Sequence, residues 1–191
     1  MSETIRKHGP IEPSEWVSRW LAGVRPGGRI LDVACGRGRH MRLALERGLL
    51  VTGVDRDLSA VSDLSCRAGV ELCAADLETG ALAPFAGRQF DGIVVTNYLF
   101  RPLMPAIVAA VKGDGLLIYE TFAIGNERLG AGPSNPNFLL RPNELVQYIV
   151  PHLQLIAFEH GLVTCRVERN AQRIIAVGHG HPWVDAPPRL D

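Results

Sequence analysis

The chain has 191 residues, 47% hydrophobic and 21% charged, which is enough apolar material for the core of one globular domain. Lys and Arg together number 20, as do Asp and Glu, and this zero net charge argues against a dedicated nucleic-acid binder. The four cysteines lack metal-binding spacing, the first ten residues lack an apolar signal core, and no apolar run approaches membrane-spanning length, so we expect a soluble cytoplasmic protein without a metal.

Residues 1–26 are predicted to form a helical N-terminal extension. Trp16, Val17 and Trp20 fall on one face of an amphipathic helix there. We favour packing of this face against the core; the alternative is a lid over a substrate, working with Phe122 and residues 123–140.

Short apolar runs then alternate with helical periods, which predicts an α/β fold with a largely parallel sheet covered on both faces. The predicted strands are 29–34, 50–54, 70–74, 90–96 and 116–120. Three helices are predicted between them. The first buries Met41, Ala44 and Leu45 and ends at Gly48, and the second is capped by Asp57 and buries Leu58, Val61 and Leu64. The third begins near Pro102 and buries Ile107, Ala110 and Val111.

Beyond the fifth strand the regular spacing breaks. Residues 123–140 are rich in Gly, Asn and Pro and too long for a simple connector, which is typical of a functional loop. A short helix after Pro142 and strands near 153–160 and 173–177 follow, with an extension over 163–167 that would turn at Arg169 and Asn170. We expect one domain, with its core over 27–178 and an irregular tail over 179–191.

The sharpest motif is LDVACGRG, residues 31–38, which places a glycine turn between the first strand and the first helix. Glycine lets the backbone approach a ligand closely, since it has no Cβ. Asp55 ends the second strand nineteen positions after Gly36, a separation at which an acidic residue can bind ribose hydroxyls. Asp76 ends the third strand, where its carboxylate can accept from an exocyclic amine.

Together these motifs resemble the class I S-adenosylmethionine-dependent methyltransferases over residues 27–177. LDVACGRG resembles that family's glycine motif, with Ala34 in place of its first glycine; VTGVDRD and AADLE resemble its second and third acidic motifs, and KGDGL its turn into the fifth strand. Within the family the chain is most similar to the tellurite-resistance and ubiquinone-biosynthesis branch. The resemblance implies a Rossmann-like three-layer sandwich with a seven-stranded sheet of order 3-2-1-4-5-7-6 and an antiparallel last strand.

The resemblance also implies that S-adenosylmethionine is the cofactor. Its contacts would come from Ala34, Cys35, Gly36 and Gly38 in the turn, Asp32 and Arg39 at the amino and carboxylate ends, Asp55 at the ribose, Arg56, Asp76 and Leu77 at the adenine, and Asn97 and Tyr98 on the sulfonium side. A nicotinamide-dependent dehydrogenase is the rival for such a turn, but Met41 stands where its third glycine would be.

Methyl transfer needs positioning and water exclusion more than a nucleophile. Residues 97–100 read NYLF rather than the NPPY that clamps planar amines, so an O, S or oxyanion acceptor on a small molecule is expected. The candidate acceptor-handling residues are Tyr98, Tyr119 and Glu120, whereas His40 is interpreted as a solvated first-turn residue.

Two alternatives stay open, a non-catalytic protein that binds the cofactor or a partner, and an RNA methyltransferase with a local basic surface. The residues leave the acceptor open, and also the choice between a monomer and a dimer.

Overall fold

A computed structural model describes residues 12–164 and 167–190. The predictions made for the first ten residues and for Cys165 lie outside this part of the chain. Its strands are β1 (Arg29–Val33), β2 (Leu50–Asp55), β3 (Val70–Ala74), β4 (Phe90–Thr96), β5 (Val111–Phe122), β6 (Gln154–Val163) and β7 (Arg169–Val177). They form one seven-stranded sheet of order β3-β2-β1-β4-β5-β7-β6, which confirms the order that the resemblance implied.

Neighbouring strands from β3 to β5 pair in parallel, and β7 runs antiparallel to both of its neighbours. The α-helices are α1 (Glu15–Trp20), α2 (Arg39–Glu46), α3 (Met104–Ala109) and α4 (Glu144–Ile149). One apolar cluster joins α1 and α2 to one face of the sheet, and a second joins α3 and α4 to the other. The carboxyl ends of β1, β2, β4 and β5 therefore meet at one edge between two layers of helices, where open α/β sheets bind ligands.

Three local predictions are wrong in detail. The helix predicted after Asp57 is the 3₁₀ segment Ser59–Leu64, and its N-cap is Leu58. Asp57 lies one residue earlier and accepts from the Ser59 N–H at 2.9 Å. Val111 begins β5 instead of ending a helix, because it pairs with Phe90 in the sheet.

The predicted turn at Arg169 and Asn170 is also wrong. Both residues are already in β7, where they pair with Val163 and Leu162 of β6.

The C-terminal tail is ordered and holds α1 in place. Residues Pro182–Val184 form a 3₁₀ turn, and the Trp183 ring lies against Gly23 and at 5.8 Å from the Trp20 ring. Outside this turn, residues 178–190 contain no helix or strand, and the aromatic contacts position the tail. Trp16, Val17 and Trp20 are all buried, as the packing interpretation predicts. No helix within 12–164 and 167–190 has both the length and the apolar character needed to cross a membrane.

Candidate functional site

The glycine turn after β1 leaves open space beside its backbone. Ala34, Gly36 and Gly38 all have positive φ, at 53°, 53° and 67°. A Cβ built on Gly36 would meet no atom within 4 Å, whereas one on Gly38 would lie 2.5 Å from Val61 Cγ1. Gly38 thus lets α2 approach the 3₁₀ segment, and Gly36 presents bare backbone to the edge of the sheet.

Asp55 lies against this turn, as the spacing predicts. Its Oδ2 accepts from the Gly36 N–H at 2.8 Å, and its Oδ1 accepts from the Asp57 N–H at 3.1 Å. The bond to Gly36 ties the end of β2 to the turn after β1, so the two predicted elements line one cleft.

Asp32 is buried in β1 next to the same cleft. It is 1% exposed, and its Oδ2 has no hydrogen-bond partner among residues 12–164 and 167–190. Burial raises the pKa of Asp32 to about 7; Arg39 opposes this rise and Asp55 adds to it. An unpaired buried carboxylate oxygen is costly, and a cationic donor placed beside it would relieve that cost.

Arg39 and His40, in the first turn of α2, hold the residues that lead into α1. The Arg39 guanidinium donates from Nη1 to the Glu12 carbonyl at 3.0 Å and from Nη2 to Thr96 Oγ1 at 3.3 Å. His40 Nε2 accepts from the Ser14 N–H at 3.2 Å.

The interpretation of His40 as solvated is wrong, because it is 2% exposed. Burial, with a smaller contribution from Arg39, lowers the pKa of His40 to about 3. The imidazole is therefore neutral near pH 7.

Arg56, Asp76 and Leu77 follow β2 and β3 on the rim of the cleft. Arg56 and Asp76 are exposed, and Leu77 is half-buried against the core. Asp76 Oδ1 accepts from the Glu78 N–H at 2.9 Å, so part of this carboxylate shapes its own turn. Among the described residues, no hydrogen bond to its second oxygen is found.

Asn97 and Tyr98 form the turn after β4. Asn97 has φ 55°, and its N–H donates to the Glu120 carbonyl at 3.0 Å, while its Oδ1 is buried without a partner. The Tyr98 hydroxyl is also buried without a partner, and its pKa is raised by burial and then by the charges of Glu78 and Asp76. This phenol therefore lies within reach of carboxylates that follow β3.

Tyr119 is fully buried in β5, and its hydroxyl donates to the Tyr98 carbonyl at 2.8 Å. Burial raises the pKa of Tyr119 far above its ordinary value. With its one proton already donated to the backbone, this side chain positions the turn after β4.

Glu120 is 1% exposed and only half paired. Its Oε1 lies 3.3 Å from Arg169 Nη2, and its Oε2 has no hydrogen-bond partner. Sequence reasoning missed Thr96, Arg169 and Arg173 near this carboxylate, since only the register of β4, β5 and β7 brings them beside it.

Polar atoms without partners concentrate at this edge. Six buried side-chain atoms within the described residues lack a partner, and four of them belong to Asp32, Asn97, Tyr98 and Glu120. Cys35 in the turn is a buried thiol whose pKa is raised by burial, which disfavours the reactive thiolate. A cavity of about 440 Å³ lies elsewhere, beside α4, and none of the predicted site residues lines it.

The chain is similar to known methyltransferases over much of this region. A family model described as a methyltransferase domain matches residues 30–113. Ribosomal RNA small subunit methyltransferase H of Nostoc is 42% identical over 64 residues, which are 32% of this chain and 20% of that protein. The matched stretches span between 20% and 51% of the curated relatives' own lengths.

Solved structures share the fold at low identity. TehB from Haemophilus influenzae is 16% identical with a TM-score of 0.65, over 85% of this chain and 61% of that one. A TehB-like SAM-dependent methyltransferase from Corynebacterium glutamicum is 19% identical with a TM-score of 0.61, over 85% of this chain and 87% of that one.

Proposed function

We propose that this chain is a class I S-adenosylmethionine-dependent methyltransferase that transfers the methyl group of that cofactor to a small molecule. The observation that carries the proposal is the buried Asp32 oxygen without a partner, beside a glycine turn with open space and an adjoining Asp55.

The residues present fit the cofactor. Asp32 Oδ2 would accept from its ammonium group, which removes the cost of the unpaired buried oxygen. Arg39 would pair with its carboxylate, and the Gly36 and Gly38 turn, with Ala34 and Cys35, would lie along the methionine part. Asp55 would accept from the ribose hydroxyls.

The adenine would lie between the rim residues. Arg56, Asp76 and Leu77 would contact it, with Asp76 accepting from its amine. Asn97, whose Oδ1 has no partner, would face the sulfonium end.

When bound, the cofactor supplies an already activated methyl group, so the protein needs no covalent nucleophile. The contribution of this chain is to fix the reactants and exclude water. Positioning of this kind can lower a barrier by about 7–11 kcal/mol at most. Burial of Asp32, Glu120 and Tyr119 at the edge supports a site closed to bulk solvent.

A small-molecule acceptor of O, S or oxyanion type is supported by two features. The net charge is zero, and the residues after β4 read NYLF, without the prolines that clamp a planar amine. Tyr98 and Glu120 keep open polar atoms for the acceptor, whereas we assign Tyr119 to positioning.

RNA is the second candidate acceptor, favoured by the match to ribosomal RNA methyltransferases. The stretch of sequence that carries the cofactor motifs also contains exposed arginines that would supply phosphate contacts, namely Arg37, Arg47, Arg56 and Arg67. An RNA substrate requires binding that weakens steeply with salt.

Radiolabelled methyl transfer separates these functions. Purified protein would be incubated with methyl-labelled S-adenosylmethionine and, in turn, phenols, thiols, selenite and total ribosomal RNA. Label on a small molecule supports the proposal, and label on RNA alone replaces it with the second candidate. Cofactor binding with no transfer to any acceptor would favour a non-catalytic protein.

A further inference from the structure

A row of polar side chains crosses the carboxyl ends of three neighbouring strands under α1. Thr96 of β4 is in register with Glu120 of β5, and Glu120 is in register with Arg173 of β7. All three lie on the face of the sheet that carries α1 and α2, since Trp16 of α1 packs over the Arg173 guanidinium at 5.0 Å. We call Thr96, Glu120 and Arg173 the polar row.

The hydroxyl oxygen of Thr96 accepts hydrogen bonds, and its hydroxyl proton remains free to be donated. His40 Nε2 accepts from Ser14, so the neutral imidazole carries its proton on Nδ1, which lies 3.5 Å from Thr96 Oγ1. Arg39 donates to the same oxygen at 3.3 Å. The Thr96 hydroxyl thus receives two donors, and within the described residues no acceptor is bonded to its proton.

The other two members of the row also have open atoms. Glu120 Oε2 is buried without a partner, although its Oε1 meets Arg169. Arg173 Nε is buried without a partner, although its Nη2 bonds to Glu159. The row therefore presents one open acceptor flanked by two open donors.

A neutral hydroxyl is the group that this arrangement fits. Its oxygen can accept from Thr96 or Arg173 while its proton is donated to Glu120 Oε2. An ammonium group can only donate, an oxyanion can only accept, and a thiol does both weakly. Arg169 of β7 contacts Glu120 directly, and Arg173 of β7, itself bonded to Glu159 of β6, is in register with it. Arg39 and His40 of α2 bond to Thr96, the neighbour of Glu120 in the row.

We propose that the polar row binds the hydroxyl of the methyl acceptor and that Glu120 takes its proton, which makes the reaction an O-methylation. This rests on the proposed function. The hydroxyl oxygen forms a bond to the methyl carbon, the carbon–sulfur bond breaks with its electron pair going to sulfur, and the hydroxyl proton passes to Glu120. Trp16 packs on Arg173, and Arg39 and His40 hold the backbone at Glu12 and Ser14, so we expect the acceptor to enter when residues 12–16 move aside.

Three probes that share a benzene ring and differ in the nucleophilic group test the class of the acceptor. Phenol, thiophenol and aniline, with selenite as the oxyanion, would be offered with labelled cofactor. We expect phenol to be methylated at least ten times faster than the others. Faster transfer to thiophenol, aniline or selenite would overturn the proposal.

Glu120→Gln tests the proton acceptor. Its amide oxygen keeps the contact to Arg169, and we expect kcat for phenol to fall by about 100-fold or more. Cofactor affinity by calorimetry and the thermal midpoint should stay near the wild type, as they should in the exposed control Glu46→Gln. An unchanged kcat in Glu120→Gln would refute the role of Glu120.

A crystal structure of the cofactor complex decides the matter without activity. We expect Glu120 Oε2 and the methyl group to face one space that a hydroxyl fills. If cofactor binds but a side chain separates the two, this inference fails while the proposed function stands. If no cofactor binds, the proposed function itself fails.

Discussion

Two glycines of the same turn should respond differently to one added methyl group. In Gly38→Ala the left-handed φ of 67° costs about 1–2 kcal/mol, and the Cβ at 2.5 Å from Val61 adds about 1–3 kcal/mol of overpacking. In Gly36→Ala only the backbone cost of about 1–2 kcal/mol remains, because its Cβ meets no atom within 4 Å. Ala34 already tolerates φ 53° in the same turn.

Urea denaturation of both variants, followed by calorimetry with S-adenosylmethionine, measures the difference. We expect Gly38→Ala to lose about 2–5 kcal/mol of unfolding free energy and Gly36→Ala about 1–2 kcal/mol. Gly36→Ala should nevertheless lose at least tenfold in cofactor affinity, since its methyl projects into the space that we assign to the ligand. Wild-type affinity in Gly36→Ala would show that the space beside Gly36 does not hold the cofactor, and equal destabilisation of the two variants would show that Val61 does not restrict position 38.

Three further changes test the packing and the electrostatics. Trp183→Ala should lower the unfolding free energy by about 2–4 kcal/mol in urea, because its ring supports Gly23 and Trp20. Burial raises the pKa of Asp91, but hydrogen bonds led by the one from Lys112 outweigh this effect and hold the pKa at about 2. The ionised carboxylate therefore stabilises the folded state by about 2 kcal/mol above pH 4. That contribution should disappear as pH falls toward 2. Urea denaturation should therefore show a smaller difference in unfolding free energy between wild type and Asp91→Asn at pH 3 than at pH 7. The pKa of Asp32 is raised to about 7, so ionisation of this buried group should destabilise the cofactor-free protein as pH rises from 4 to 8. At pH 8, Asp32→Asn should therefore unfold at a higher urea concentration than wild type. The same variant should bind the cofactor more weakly.

The cofactor side of the site could be predicted because its signals are local. The glycine turn and Asp55 follow directly from two strands, and the Gly36–Asp55 bond realises their spacing. β3 and β4 also have their predicted bounds, since each is a compact apolar run between turn residues.

The predictions that were wrong or missing concern residues whose structure depends on contacts with residues distant in the sequence. Val111 is compatible with a helix or a strand, and pairing with Phe90 selects the strand. His40 is solvated on an isolated helix, but Ser14, 26 positions away, covers it. The polar row combines Thr96, Glu120 and Arg173 from three strands, and only the register of the finished sheet brings them together.

Isothermal titration calorimetry with S-adenosylmethionine measures whether the proposed site holds the cofactor. We expect saturable binding to the wild type, a loss of at least tenfold in affinity for Asp55→Ala, and no loss for the exposed tail variant Asp185→Ala. Absence of binding heat with the wild type, or an unchanged affinity in Asp55→Ala, would contradict a cofactor site at the carboxyl edge of β1 and β2.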